Sequence, residues 1–214
     1  MTVPRGSRIY VLAGVNGAGK SSIGGAAFRA FGADYYNPDE AARSLIDAHS
    51  QMTAIQTNSA AWHHGRHLLE RAIAERLDFA FETTLGGNTI VRILARAAAG
   101  DIDIHIWYAG LASIELHLAR VRARVRRGGH DIPEQDIRRR YEHSRLNLIH
   151  LLPRLAALRI YDNSVDADPA TGQIPHLELV LHMERGRILG PADLSSTPEW
   201  AKPIVAAAWK LAKR

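Results

Sequence analysis

Gly14-Val-Asn-Gly-Ala-Gly19-Lys20-Ser21 fits the pattern G-x-x-x-x-G-K-[ST], whose residue types suit the wrapping of a triphosphate. Glycines let successive backbone N–H groups close around the β- and γ-phosphates, and the N-terminus of the following helix adds partial positive charge. Lys20 then reaches the phosphate oxygens, and Ser21 ligates Mg2+. Gly14, Asn16, Gly17, Ala18, Gly19, Lys20, Ser21 and Ser22 are therefore the candidate ATP-binding residues. With glycine near 7% of residues, such a pattern arises by chance in a chain of this length on the order of 1% of the time. Lys20 is also the only lysine before position 202.

The kind of phosphate-loop protein is narrowed by what else is present. A switch GTPase needs a base-reading Asn-Lys-x-Asp, for which no lysine is available, and an ATP-driven motor carries adjacent Asp-Glu after an apolar strand, whereas Phe79-Ala-Phe-Glu82 has one carboxylate. Two acids stand where strands are expected to end, in Asn37-Pro38-Asp39-Glu40 and in Glu82-Thr83-Thr84. In a doubly wound sheet the carboxyl ends of the strands form the ligand crevice, so both would face the phosphate loop. Such a pair suits a small-molecule kinase: one acid accepts the proton of the attacking hydroxyl, and the other holds substrate or a metal-bound water. Each also has a plainer reading, Asp39 as a first-turn helix acid after Pro38 and Glu82 as an exposed strand-end carboxylate.

A third feature is charge. Of 27 Lys and Arg residues, 23 are arginine; codon bias accounts for the abundance but not for its distribution. Between Arg120 and Arg145 nine arginines face four acids, and the remainder of the chain is balanced. On a helix from Ile114, the apolar stripe is Ile114, Leu118, Val121 and Val125, with Arg120, Arg124 and Arg127 on one flank and Arg122 and Arg126 on the other. Like charges at i, i+4 each cost a few tenths of a kcal/mol, about 0.2–0.5. No acid lies between Glu115 and Asp131 to offset them, so an incoming anion would relieve the strain. After Gly128-Gly129-His130, a second helix starts near Pro133 with the stripe Ile137, Tyr141, Leu148, which sets Arg140 near the buried edge and Arg139 in solvent. Two arginine-bearing helices joined at Gly-Gly resemble a lid closing over ATP, with Arg122, Arg138 and Arg139 as its solvated members. A nucleic-acid surface would be expected to interleave stacking aromatics, and only Tyr141 is present, so nucleic acid is not the expected partner.

These residues need a scaffold. Apolar runs at Arg8–Ala13, Ala33–Tyr36, Phe79–Phe81, Ile102–Tyr108 and Leu158–Tyr161 read as strands. Helix-like stretches lie at Lys20–Phe31, Pro38–Ala48, Thr53–Arg76, Asn88–Ala99, Ile114–Arg127 and Pro133–Leu152. The alternation implies an α/β fold with a parallel sheet covered on both faces, a phosphate-loop, nucleoside-monophosphate-kinase-like architecture of three layers. His176–Leu189, broken at Gly186, reads as an appended β-hairpin. One domain over 1–214 is expected, with the lid at about 114–150 and a C-terminal extension at about 166–214. With 46% hydrophobic residues in 214, the chain can bury roughly 70% of its unfolded surface without staples. The absence of cysteine excludes thiol catalysis, iron–sulfur clusters and disulfides. No apolar run approaches the roughly 18 residues of a membrane span, so a cytoplasmic protein with no membrane partner is expected. Trp62, His63, His64 and His67 are read as a surface helix rather than a metal site.

Taken in order, Gly14–Ser22, Asn37–Glu40, Phe81–Gly86, the stretch Arg124–Pro133 with Ile137–Tyr141, and Tyr161-Asp-Asn-Ser164 make the chain resemble the zeta toxin family of phosphate-loop kinases over roughly residues 8–165. The GGH-x-I-P form resembles its stand-alone relatives. The resemblance implies transfer of the ATP γ-phosphate to a substrate hydroxyl, with a nucleotide sugar such as UDP-N-acetylglucosamine as acceptor, Mg2+ as cofactor and an antitoxin protein as partner. Carried over, Asp39 is the general base, Glu82 with Thr83 binds substrate, Lys20 and Ser21 hold phosphate and Mg2+, and lid arginines stabilise the transferred phosphate. Among the arginines, Arg124 and Arg140 are expected to neutralise phosphate charge, with Arg120 on ATP. Two alternatives stand beside this reading: a polynucleotide- or nucleoside-type kinase, and a non-catalytic ATP-binding partner protein.

Overall fold

A computed structural model describes residues 6–20, 34–48, 51–129, 131–165 and 177–213. Its strands are β1 (Arg8–Ala13), β2 (Asp34–Tyr36), β3 (Phe79–Thr83), β4 (Asp103–Gly110), β5 (Ala157–Asp162), β6 (Glu178–Glu184) and β7 (Arg187–Gly190). They form one sheet in the order β2-β3-β1-β4-β5-β6-β7. The first five run parallel, and β6 and β7 close the edge antiparallel. The helices are α1 (Pro38–Ala48), α2 (Ala54–Ala74), α3 (Asn88–Ala99), α4 (Ile114–Arg126), α5 (Glu134–Leu151) and α6 (Lys202–Ala212). The helix expected at Lys20–Phe31 lies, apart from Lys20, outside the described residues. None of the described helices is long and apolar enough to cross a membrane.

Alternation along the central strands divides the sheet into two faces. Ile9, Val11 and Ala13 of β1, Ile104, Ile106 and Tyr108 of β4, and Leu158 and Ile160 of β5 are buried in one cluster with Leu94 of α3, Leu148 and Leu151 of α5, and Ile204 and Ala208 of α6. The opposite face carries Leu12 and Ala80 with the partly buried Tyr10, Tyr35 and Trp107. Helices begin where the sequence supplies caps: Ser113 accepts from Leu116 N at the start of α4, and Thr53 and Gln56 form a reciprocal capping box on α2. The apolar stretches of the C-terminal extension predict only a hairpin, and the structure adds α6 after it. It is a correction of consequence, because α6 completes the cover of the core and carries Trp200 just ahead of it.

α5 is tied to the sheet by a buried serine in its apolar stripe. Ser144 Oγ donates to the Thr84 carbonyl (2.6 Å), and the Tyr108 hydroxyl lies 2.9 Å from the same oxygen. The Ser144 hydroxyl has one proton and gives it to the carbonyl, so Tyr108 is the donor of the bond to Ser144 Oγ, and burial, which pushes the phenol up to about 12, keeps it protonated. Ser144→Ala would leave a carbonyl and a phenol unpaired, and is expected to lower the unfolding free energy by about 1–3 kcal/mol in chemical denaturation. A loss within error of zero would show that these groups find other partners.

Candidate functional site

The carboxyl ends of β1, β3, β4 and β5 meet at one edge, where Ala13 pairs with Thr83 and Tyr108, and Gly110 with Asp162. The phosphate loop leaves β1 there. Gly14, Gly17 and Gly19 have φ of 140°, 84° and 81°, a region closed to most side chains. The space is closed as well: a Cβ would strike the Ala109 carbonyl at Gly14, the His117 carbonyl at Gly17 (2.8 Å), and the Asn163 amide at Gly19. Backbone thus lies against backbone at Gly14 and Gly17 and against the Asn163 side chain at Gly19, and the residues present fit a triphosphate. Ser21 and Ser22 lie outside the described residues.

Two helices grip this loop. Val15 is buried with Leu118 and Val121 of α4 and with Ile132 and Ile137. The Asn16 side chain accepts from Arg140 Nη1 (2.9 Å), and its carbonyl lies 2.8 Å from His117 Nδ1. A carbonyl can only accept, so the ring carries its proton on Nδ1. Burial drives the His117 pKa down to about 4; the Asn16 bond opposes that, and the Lys20, Arg120 and Arg145 cations reinforce it. Arg120 is half-buried beside the loop, its Cβ 3.5 Å from where a Gly17 Cβ would sit.

Asp39 occupies the first turn of α1, where Asn37 Oδ1 accepts from the Asp39 and Glu40 amides at 2.9 and 3.3 Å. Asn37, rather than Asp39, is therefore the cap, and the Asp39 carboxylate extends toward Arg124 Nη1 at 3.5 Å. Arg140 stands over Gly86, in the loop after β3, where a Cβ would meet its Cγ and Cβ. Burial lowers the Arg140 pKa from its ordinary value; Arg139 adds to the fall, while Asp136 and Asp39 oppose it. Asn16, Arg140, Arg124 and Asp39 thus gather around the mouth of the loop. Arg122, Arg138 and Arg139 stand exposed, paired with Glu134 (3.0 and 2.7 Å) and Asp136 (2.8 Å).

Glu82 is 6% exposed and accepts from the Tyr35 hydroxyl at 2.6 Å, so it is a buried carboxylate and not the exposed strand-end acid that its plainer reading supposed. Thr83 Oγ1 accepts from Leu85 N (3.2 Å), shaping a turn in which Leu85 has φ 51°. Trp62, His63, His64 and His67 are exposed on α2. Sequence reasoning missed His117, Tyr35 and Trp200; histidine spacing on the apolar stripe, one residue before Leu118, is the signal that could have found the first.

The zeta toxin family model matches residues 4–167. The chain belongs to the zeta toxin family. Among relatives of this zeta toxin family member, an uncharacterized protein of Haemophilus influenzae is 35% identical over 136 residues, covering 60% of this chain and 88% of that one. A chain of the AvrRxo1-ORF1:AvrRxo1-ORF2 complex solved with ATP superposes with a TM-score of 0.67 at 14% identity, covering 96% of this chain. This chain spans 64% of the length of that one. A chain of the PezAT chromosomal toxin–antitoxin system of Streptococcus pneumoniae gives 0.56 at 13% identity, covering 99% and 87%. Those two share the fold, and with family membership they support an ATP-dependent kinase.

The buried His117 gives a pH signature. Its folded pKa of about 4 lies below the ordinary 6.5, so the unfolded chain binds the proton more readily. Its contribution to stability is fully present above about pH 6.5 and is lost as pH falls to about 4, a total of about 3 kcal/mol. Denaturation midpoints measured across that window should show this fall in the wild type and lack it in His117→Gln.

Proposed function

We propose that this kinase transfers the γ-phosphate of ATP to a hydroxyl of a small acceptor, with a nucleotide sugar of the UDP-N-acetylglucosamine type as the favoured class. One observation carries the reading: the phosphate loop, two guanidinium groups and one carboxylate are joined through Asn16–Arg140 and Arg124–Asp39. Backbone N–H groups of the loop, apart from that of Ala18, which donates to the Val15 carbonyl (3.1 Å), bind the phosphates together with Lys20. Asp39 takes the proton of the acceptor hydroxyl as that oxygen bonds to the γ-phosphorus; the bond to the bridging oxygen breaks, and ADP leaves with the electron pair. Arg124 and Arg140 turn from Asp39 and Asn16 to the transferring phosphoryl group, and Arg120 meets the nucleotide phosphates. Glu82, oriented by Tyr35, and Thr83 hold the acceptor. Mg2+, which Ser21 would ligate, supplies further neutralisation of phosphate charge. Residues 114–150 act as the lid that excludes water, within a single kinase domain extended at 166–214. An antitoxin is the proposed protein partner, by likeness to the family.

Purified protein, γ-labelled ATP and a panel of nucleotide sugars test this. Lys20→Ala is expected to abolish transfer, and Asp39→Asn to reduce it by about 10²–10⁴-fold with ATP affinity nearly unchanged. Full activity in Asp39→Asn would overturn the assignment of the base. Transfer to oligonucleotide ends in place of the sugars, weakening steeply with salt, would move the acceptor to nucleic acid.

A further inference from the structure

An anion-binding loop must keep its carbonyls turned out. The peptide unit is planar and trans, so fixing the carbonyl of one residue points the N–H of the next in the opposite direction. Glycine peptides lack the steric barriers that hold others in place, and a single flip would turn a lone pair toward the phosphate. In this loop two such peptides are held from outside. The Asn16 carbonyl is bound by His117 Nδ1 (2.8 Å), which directs the Gly17 N–H the other way. The Ala18 carbonyl is bound by Asn163 Nδ2 (2.9 Å), which does the same for Gly19. Both holding side chains are buried, at 1% and 6% exposure, where competing water is excluded.

Asn163 is itself held. Its N–H donates to the Gly110 carbonyl (3.0 Å), and its neighbour Asp162 accepts from Trp200 Nε1 (2.8 Å) and from Ser164 N (2.6 Å). The Trp200 ring lies so close to Gly110 that no Cβ fits there. Trp200 therefore fixes both residues that set the Asn163 backbone, and it does so from beyond residue 167, where the family match ends.

We propose that His117 and Asn163 are positioning residues that hold the Asn16 and Ala18 carbonyls away from the bound phosphates, and that Trp200, through Asp162 and Gly110, sets Asn163. This rests on the reading of the loop as a nucleotide site. The C-terminal segment is then a working part of that site, not an appendage.

The test is calorimetric titration of the full chain with ATP and, separately, with inorganic tripolyphosphate. Asn163→Leu, close in size but without the donor, is expected to weaken both ligands by the same factor, about tenfold for one lost hydrogen bond that orders the loop. Trp200→Phe is expected to weaken both severalfold, and to add little in the double variant because the two act along one path. Amide shifts in the wild type provide a measurement that needs no variant: the Gly17 and Gly19 N–H resonances should move downfield on adding tripolyphosphate. Folded variants that bind both ligands as the wild type does, or lose ATP alone, would overturn the proposal, as would unmoved Gly17 and Gly19 resonances. A wild type that binds neither ligand would defeat the nucleotide-site reading itself.

Discussion

A phosphate loop works only while its N–H groups face inward and its carbonyls face out, and three glycines with positive φ give residues 14–19 that shape. The shape constrains everything packed around it. The Ala109 and His117 carbonyls and the Asn163 amide approach so closely that no side chain could stand at the glycines they meet. Strand ends and helix α4 are therefore fixed relative to the loop by backbone contact, which tolerates little drift. The parallel sheet supplies the matching frame, because β1, β3, β4 and β5 end at one edge and deliver Glu82, Thr83, Gly110 and Asn163 to it.

Electrostatics follows the same geometry. Nine arginines in one stretch would repel one another on isolated helices, yet the exposed Arg122, Arg138 and Arg139 each have an acid brought by another turn or another element, as Glu134 is to Arg122 and Arg138. Two arginines at the mouth of the loop are partnered differently: Arg140 by the neutral Asn16 side chain and, at 3.9 Å, by Asp136, and Arg124 by the carboxylate assigned as base. Both carboxylate contacts are long, and a triphosphate brings more negative charge than either acid, so an arriving triphosphate competes well for both guanidinium groups. Release of Asp39 from Arg124 as phosphate arrives would couple nucleotide binding to readiness of the base.

Much of the scaffold was legible in the residues. β1, α1 and α3 have the bounds that their apolar runs and start signals imply, and the hairpin turns at Gly186 as read. β3 runs two residues further than its apolar core because Glu82 and Thr83 still pair with Leu12 and Ala13. Polar residues in buried stripes were hidden: Ser144 and His117 sit on core faces without being apolar, and their roles come from partners far along the chain. The offset of the arginines was hidden for the same reason, since Asp39 is remote in sequence from Arg124. α6 had local signals, Pro203 in its first turn and Ile204, Val205 and Ala208 at helical spacing. What Trp200 touches could not be read from any of them, because it depends on where Gly110 ends its strand.

The central claim is that phosphate moves from ATP to an alcohol on this scaffold. It is tested most directly by following ATP and a nucleotide sugar with the purified protein by phosphorus NMR. The account predicts a new phosphomonoester resonance, coupled to a proton on an acceptor carbon, growing in step with ADP. ADP accompanied only by inorganic phosphate, or no consumption of ATP at all with every acceptor class tried, would contradict it.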